Sequence, residues 1–164
     1  MKSRLSTLFL FLLLALTATV ANAAGTRLFK VSRSLNRNIV CYDVQLTGSN
    51  INTKAPVSVY WINNEDHPGT KKDLNAIERK MAFGYKVVSA SATQAKVTLA
   101  AYPQRPITIS KRNGKWVALI TINGKECVLT EIYVKSKGAM SVEYLELRGT
   151  QTQGGATQKE KLKP

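Results

Sequence analysis

The sequence contains little of the chemistry that enzymes and metalloproteins use. Its 164 residues include one histidine, His67, and two cysteines, Cys41 and Cys127. It has no glycine-rich phosphate loop, no zinc-ligand spacing and no serine nucleophile elbow. Because catalysis needs several reactive groups placed together, this scarcity favours a binding protein over an enzyme and predicts neither a metal nor a cofactor. A hydrolase is the minor alternative.

The single histidine lies in the polar segment 65–69, Glu-Asp-His-Pro-Gly. A histidine beside carboxylates can act as a base or a metal ligand. Three successive polar side chains point in different directions, however, and Pro-Gly is typical of a turn. We therefore predict an exposed loop tip at His67.

Long apolar runs are also scarce, and the one present spans residues 5–20. Lys2 and Arg4 precede it and Ala21-Asn22-Ala23 follows it, which is the pattern of a cleaved signal peptide, residues 1–23. The run is short for a membrane anchor and lacks a stop-transfer flank. We expect an exported protein, periplasmic or secreted, whose mature chain starts near Ala24 and has no transmembrane span.

Acidic residues are few, with 10 Asp and Glu against 24 Lys and Arg. Without Lys2 and Arg4 the balance is 22 against 10, a net charge of +12. In an exported protein this excess favours anionic lipid, lipopolysaccharide, acidic glycan or an acidic envelope protein as partner, and not nucleic acid. The alternative is that the charge only keeps a monomeric domain soluble.

The two cysteines have no CxxC spacing, and the predicted compartment is oxidising. A Cys41–Cys127 disulfide is therefore the preferred interpretation, worth about 4–5 kcal/mol in the chain-entropy model. Two buried free thiols are the alternative.

Most of the mature chain has strand-like alternation broken by turns. Asn113-Gly114 and Asn123-Gly124 predict two-residue type I′ hairpins, in which Lys111 faces Trp116 and Ile120 faces Cys127. One apolar face follows from this register: Ile107, Ile109, Trp116, Ala118, Ile120, Cys127 and Leu129. The pattern predicts one mainly β domain over residues 24–148, an antiparallel barrel or sandwich of about eight strands.

One helix is predicted after the third strand, Val57–Ile62, with both of that strand's faces covered. The helix would span Lys72–Phe83 and end at Gly84, burying a stripe of Leu74, Ile77 and Met81. After residue 148 apolar periodicity is lost, which predicts a disordered polar tail over 149–164.

The basic residues around this helix are the candidate ligand contacts. Placed at one rim, they would hold a phosphate or carboxylate, and a solvated helix face is the alternative. An apolar barrel interior is a second candidate surface, although small barrels normally fill with side chains. The candidate residues are Lys71, Lys72, Arg79 and Lys80.

Three segments carry a family resemblance: 36–43 (NRNIVCYD), 56–62 (PVSVYWI) and 77–85 (IERKMAFGY). With their N-x-N-x-V-x-Y and P-x-x-V-Y-W patterns, they resemble a group of bacterial exported domains of unknown function, over about Phe29 to Gly149. The resemblance implies a single exported domain and assigns no activity. We expect a non-catalytic envelope protein that binds an anionic or amphiphilic ligand, or alternatively a module that docks another envelope protein.

Overall fold

The computed structural model describes residues 26–138 and 141–163, so the predicted signal segment lies outside the described residues. Within them the chain is mainly β, with 13 strands and one short helix. The elements are β1 (Arg27–Arg33), β2 (Asn36–Val44), β3 (Leu46–Thr47), β4 (Asn50–Ile51), β5 (Val57–Asn63), β6 (Thr70–Asp73), α1 (Ala76–Met81), β7 (Tyr85–Ala90), β8 (Gln94–Leu99), β9 (Tyr102–Arg112), β10 (Lys115–Ile122), β11 (Lys125–Ser136), β12 (Val142–Gln151) and β13 (Thr157–Leu162).

Eleven strands form one curled, half-barrel sheet in the order β6-β5-β2-β1-β11-β10-β9-β8-β7, with β12 and β13 branching from β11. The long strand β11 makes the branch because its first half pairs with β10 and its second half with β1. Its other edge pairs with β12 along nearly its whole length. The β1–β11 pair is parallel, an exception to the predicted antiparallel pattern.

Both predicted Asn-Gly hairpins are confirmed. Asn113 and Asn123 have φ of 49° and 50°, the left-handed values that a type I′ turn needs. Lys111 pairs with Trp116 and Ile120 pairs with Cys127, as the turns predict. All seven residues of the predicted apolar face belong to the buried core, which lies on the concave side of the sheet.

The predicted strand count of about eight is too low. Three of the additional strands, β3, β4 and β6, have two to four residues each. Such segments are too short to show a hydrophobic period. β3 and β4 pair with each other, and β6 pairs with the edge of β5.

The helix is shorter than predicted and differs in what it buries. It begins after Asn75, which forms a capping box with Glu78, and residues 70–73 form β6 instead of a first helical turn. Leu74 is buried, but Ile77 and Met81 are 75% and 67% exposed. Fewer than two turns of helix cannot hold an apolar stripe against a sheet, so this predicted stripe is wrong.

The tail predicted to be disordered forms part of the sheet in the structure. β12 continues to Gln151, and β13 pairs with it from Thr157 to Leu162. Arg105 of β9 donates from Nη1 and Nη2 to the carboxylate of Glu160 at 2.6 and 3.1 Å. β13 is an edge strand, and edge strands commonly carry lysines at alternate positions. Its polar composition therefore did not indicate a strand.

The predicted disulfide is not formed, and both cysteines are buried free thiols. Lys30 of β1 pairs with both Cys41 and Glu131, so β1 separates β2 from β11. Two strand spacings are about 9.5 Å, beyond the roughly 7 Å that a disulfide spans. Cys127 belongs to the core face, whereas Cys41 alternates with Val40 and Tyr42 and faces the other side.

Candidate functional site: a polar cleft on the concave face

A polar cleft of about 300 Å³ opens at one end of β1, β2, β5 and β6, beside α1. Strand alternation builds it. Arg33 follows Phe29 and Val31 on the inner face of β1, and Lys72 faces inward because it pairs with Trp61. The lining residues are Arg33, Asn38, Trp61, Asn63, Asp66, Lys72 and Glu78.

Arg33 is the residue at this site whose hydrogen bonding is incomplete. Its guanidinium carbon lies 4.6 Å from the Trp61 ring centre and 6.0 Å from that of Phe83. Nη2 donates to Asn36 Oδ1 at 3.3 Å, but Nε is buried and has no hydrogen-bond partner among the described residues. A buried donor without a partner costs about 1–3 kcal/mol, so this position of the Arg33 side chain is energetically costly.

Burial lowers the pKa of the Arg33 guanidinium, while the carboxylates of Glu78 and Glu65 act in the opposite direction. Because an arginine pKa starts so high, the group remains a cation at neutral pH. Arg33 is therefore a partly desolvated, fixed positive charge, and the Trp61 ring holds its plane by a cation–π contact.

Two asparagines present donors to the cleft. Asn38 Oδ1 accepts from the backbone N–H of Asn64 at 2.8 Å, and Asn63 Oδ1 accepts from that of Glu65 at 2.9 Å. These bonds fix the orientation of each amide, and the Nδ2 groups can donate to a ligand.

Two carboxylates line the same cleft. Glu78 Oε2 accepts from the backbone N–H of Asn75 at 2.9 Å, and Asn75 Oδ1 accepts from that of Glu78 at 2.8 Å. This capping box fixes Glu78 against the helix start and leaves Oε1 as an acceptor. Asp66 comes from the exposed β5–β6 loop. The cleft therefore holds two cations and two anions.

A small apolar cavity of about 60 Å³ is lined in part by Phe83 and Val134. The Phe83 ring packs edge-on against Trp61 of the polar cleft, and Val134 pairs with Arg33, so residues of the two regions are in contact. The other lining residues of the cavity are Val31, Tyr42, Ala82, Leu99, Ala101, Tyr102, Ile132, Leu145 and Leu147.

The structure brings one of the four candidate lysines and arginines into the cleft. Lys72 lines it, whereas Lys71 faces the other side of β6, with Nζ 3.8 Å from the Tyr60 ring centre. Arg79 donates to the Leu74 carbonyl at 3.4 Å, and Lys80 is exposed on α1. His67 is exposed in the β5–β6 loop, as predicted.

Sequence reasoning missed Arg33, although the sequence contains a signal for it. Residues two apart on a strand point to the same face, so the alternation of β1 places Arg33 on the face of Phe29 and Val31. A charged residue therefore takes the core-facing position at the end of this strand. A charge at such a position has to be explained by a partner or a ligand.

Other parts of the described chain are weaker candidates. A groove of about 420 Å³ lies beside Lys125, Glu126 and residues 151–153, but it contains no buried polar atom that lacks a partner. Across residues 26–138 and 141–163 no group of three His, Cys, Asp or Glu side chains is placed to hold a metal ion. No helix in these ranges is long and apolar enough to cross a bilayer.

Comparison with known proteins places the chain by family. No curated protein and no solved structure is detectably similar to it. Residues 29–161 match a family described as "Domain of unknown function (DUF4833)", which confirms the resemblance at the level of such a family. The match includes β13 and covers most of the 164 residues. The chain belongs to this family of domains of unknown function.

Proposed function

We propose that this protein is an exported, non-catalytic module that binds a ligand through an anionic group held in the Arg33–Lys72 cleft. Arg33 carries the proposal, because it lines the cleft as a partly desolvated cation and forms no salt bridge with any residue that the structure describes. Lys72 adds a second positive charge at the same opening. Arg33, and not the helix cations Arg79 and Lys80, is the principal contact.

The remaining charge of the protein supports association with an anion at longer range. The net charge, +12 without Lys2 and Arg4 of the signal-like segment, attracts anionic partners before contact, an effect that salt weakens. The export proposal rests on the signal-like pattern of residues 1–23.

The sizes of the two concave regions favour an anion site over a lipid carrier. Small-molecule sites typically measure about 300–1,000 Å³. The polar cleft reaches that range at about 300 Å³, whereas the apolar cavity, at about 60 Å³, is too small to enclose an acyl chain. An amphiphilic ligand would therefore be held by its head group.

Neighbouring lysines on β6 provide a matched test, because Lys71 and Lys72 differ only in the face to which they point. Acetate, inorganic phosphate and anionic phospholipid vesicles are titrated at low salt into wild type, Arg33→Gln, Lys72→Gln and Lys71→Gln. We expect at least one anion to bind wild type and Lys71→Gln alike. Binding to Arg33→Gln and Lys72→Gln should weaken about tenfold or more, the value of one charge-assisted hydrogen bond.

Two results would contradict this proposal. Equal losses in Lys71→Gln and Lys72→Gln would show that net charge alone attracts the anion. Anion binding that survives Arg33→Gln unchanged would place the site elsewhere.

A second candidate function is docking to another envelope protein, and the exposed helix supports it. Ile77 and Met81 lie four residues apart on α1 and are largely exposed, next to the edge strand β6. Crosslinking in the native host, compared between wild type and Ile77→Ser/Met81→Ser, tests it. A specific protein adduct that disappears in the double variant supports docking.

A further inference from the structure

The lining of the polar cleft contains more than an anion requires. A phosphate or carboxylate needs the cations Arg33 and Lys72 and the amide donors of Asn38 and Asn63. It gains nothing from Asp66 and Glu78, which carry negative charge into the same space. Glu78 also caps α1 through Oε2, but its Oε1 and the Asp66 carboxylate can contribute to binding only by accepting hydrogen bonds from a ligand.

A ligand can donate hydrogen bonds to the carboxylates of the cleft through two kinds of group, hydroxyls and ammonium groups. A net charge of +12 without Lys2 and Arg4 repels a ligand that carries an ammonium group, whereas hydroxyls are neutral. A membrane phosphate surface fits poorly for a different reason. It presents a dense layer of negative charge, and Asp66 and Glu78 lie on the surface that would meet it.

Resting on the proposed function, we infer that the cleft recognises an acidic sugar unit, a polyhydroxylated ring that carries one carboxylate, as part of an anionic glycan. Its carboxylate lies against Arg33 and Lys72, and its hydroxyls donate to Asp66 and Glu78. The Nδ2 groups of Asn38 and Asn63 donate to ring or hydroxyl oxygens. The cleft volume of about 300 Å³ suits a ligand of one to two rings.

The rigidity of the lining supports recognition of defined stereochemistry. Glu78 is fixed by its capping box, both asparagines by backbone N–H groups, and Arg33 by the Trp61 ring. Groups held in this way lose little conformational freedom when a ligand binds. A surface that only attracts anions has no need of such fixed acceptors and donors.

The test uses three small probes that separate charge from hydroxyl recognition. Glucuronate has both features, cyclohexanecarboxylate has the ring and carboxylate without hydroxyls, and glucose has the hydroxyls without the carboxylate. We expect wild type to bind glucuronate about tenfold or more tightly than either comparison probe, since each loses charge-assisted hydrogen bonds.

Two variants should each reduce one preference. In Asp66→Ala the ratio of glucuronate to cyclohexanecarboxylate affinity should fall severalfold, because only glucuronate has hydroxyls that donate to Asp66. Both probes carry one carboxylate, so the loss of a negative charge from the protein affects the two affinities alike and leaves their ratio unchanged. In Arg33→Gln the ratio of glucuronate to glucose affinity should fall about tenfold. Asp66 lies in an exposed loop, so its replacement leaves the buried core intact. Lys71→Gln, on the opposite face, should change neither ratio.

Failure of this inference differs from failure of the proposed function. If cyclohexanecarboxylate, phosphate or anionic vesicles bind as tightly as glucuronate in an Arg33-dependent manner, the anion site stands and the sugar inference falls. If no anion binds in an Arg33-dependent manner, both fall. If Asp66→Ala leaves the hydroxyl preference unchanged, the assignment of Asp66 is wrong.

Discussion

The hydroxyl of Tyr42 donates a hydrogen bond to the main-chain carbonyl of Phe83, with 2.6 Å between the oxygens. This bond connects the buried face of β2 to the chain just after α1, at a residue that lines the apolar cavity and packs against Trp61 of the polar cleft. Burial raises the pKa of the Tyr42 hydroxyl, so it remains a protonated donor throughout the ordinary pH range.

Replacing Tyr42 by Phe should lower the free energy of unfolding by about 0.5–1.5 kcal/mol, since the partly buried Phe83 carbonyl loses its partner. The stacked contact of residue 42 with Phe29 is retained in this variant. Urea denaturation provides the measurement. Tyr133→Phe, at a partly exposed site, is the control and should unfold like wild type. Equal stability of Tyr42→Phe and wild type would show that the bond contributes nothing.

Gly84 has no room for a side chain. A Cβ built there would overlap the carbonyl oxygen of Arg79, a backbone atom that cannot move without disrupting the end of α1. We expect Gly84→Ala to lose about 3 kcal/mol or more, measured by thermal denaturation. Gly69→Ala is the matched control, because φ is +82° there and no atom lies within 4 Å. It should lose only about 1 kcal/mol, from backbone strain alone.

The Glu160–Arg105 pair makes stability depend on pH. Hydrogen bonds from Arg105 lower the pKa of Glu160 below its ordinary value near 4.5, although desolvation opposes the shift. A carboxylate with a lowered folded-state pKa stabilises the protein above its unfolded pKa, and this contribution is lost as the pH falls through the folded value.

Glu160→Gln should therefore be destabilised by about 1–2 kcal/mol at pH 7, and the deficit should shrink as the pH falls below about 4. Denaturation of both proteins at several pH values checks this. The wild-type strand β13 should also resist proteolysis at pH 7. A deficit that stays constant down to pH 2 would contradict an ionic contribution, and rapid cleavage near residue 157 would contradict an ordered β13.

Both thiols should be free and protected in the folded protein. Burial raises the pKa of Cys41 and of Cys127, which reduces the reactive thiolate. We expect no thiol labelling under native conditions, two labels per chain in denaturant, and no change in melting temperature with a reductant. An intact mass two hydrogens lighter than the sequence, before any treatment, would instead show a disulfide.

Local patterns in the sequence determined the hairpins. Two Asn-Gly pairs specify left-handed turns, and side chains alternate across strands, so the register of β9, β10 and β11 and its apolar face follow without tertiary information. The exposed position of His67 follows equally from Pro-Gly turn chemistry.

Features that depend on distant parts of the chain could not be predicted in this way. β13 has few apolar residues, and it forms because β12 offers an unpaired edge and Arg105 offers a partner for Glu160. The helix was predicted to begin too early, at Lys72. In the structure Lys72 and Asp73 pair with β5 as part of β6, and this pairing between strands overrides the local preference for a helix.

The candidate site shows the same division between local and tertiary information. The sequence by itself determined the excess of positive charge, the alternation that places Arg33 on the same face of β1 as Phe29 and Val31, and the mainly β class. Only the tertiary structure decided that β1 would separate the two cysteines, that Lys71 and Lys72 would serve opposite faces, and that Trp61 would hold Arg33 among two carboxylates and two amides. The physical reason is that charge and side-chain alternation are properties of neighbouring residues, whereas strand order and burial depend on pairing between segments distant in the chain.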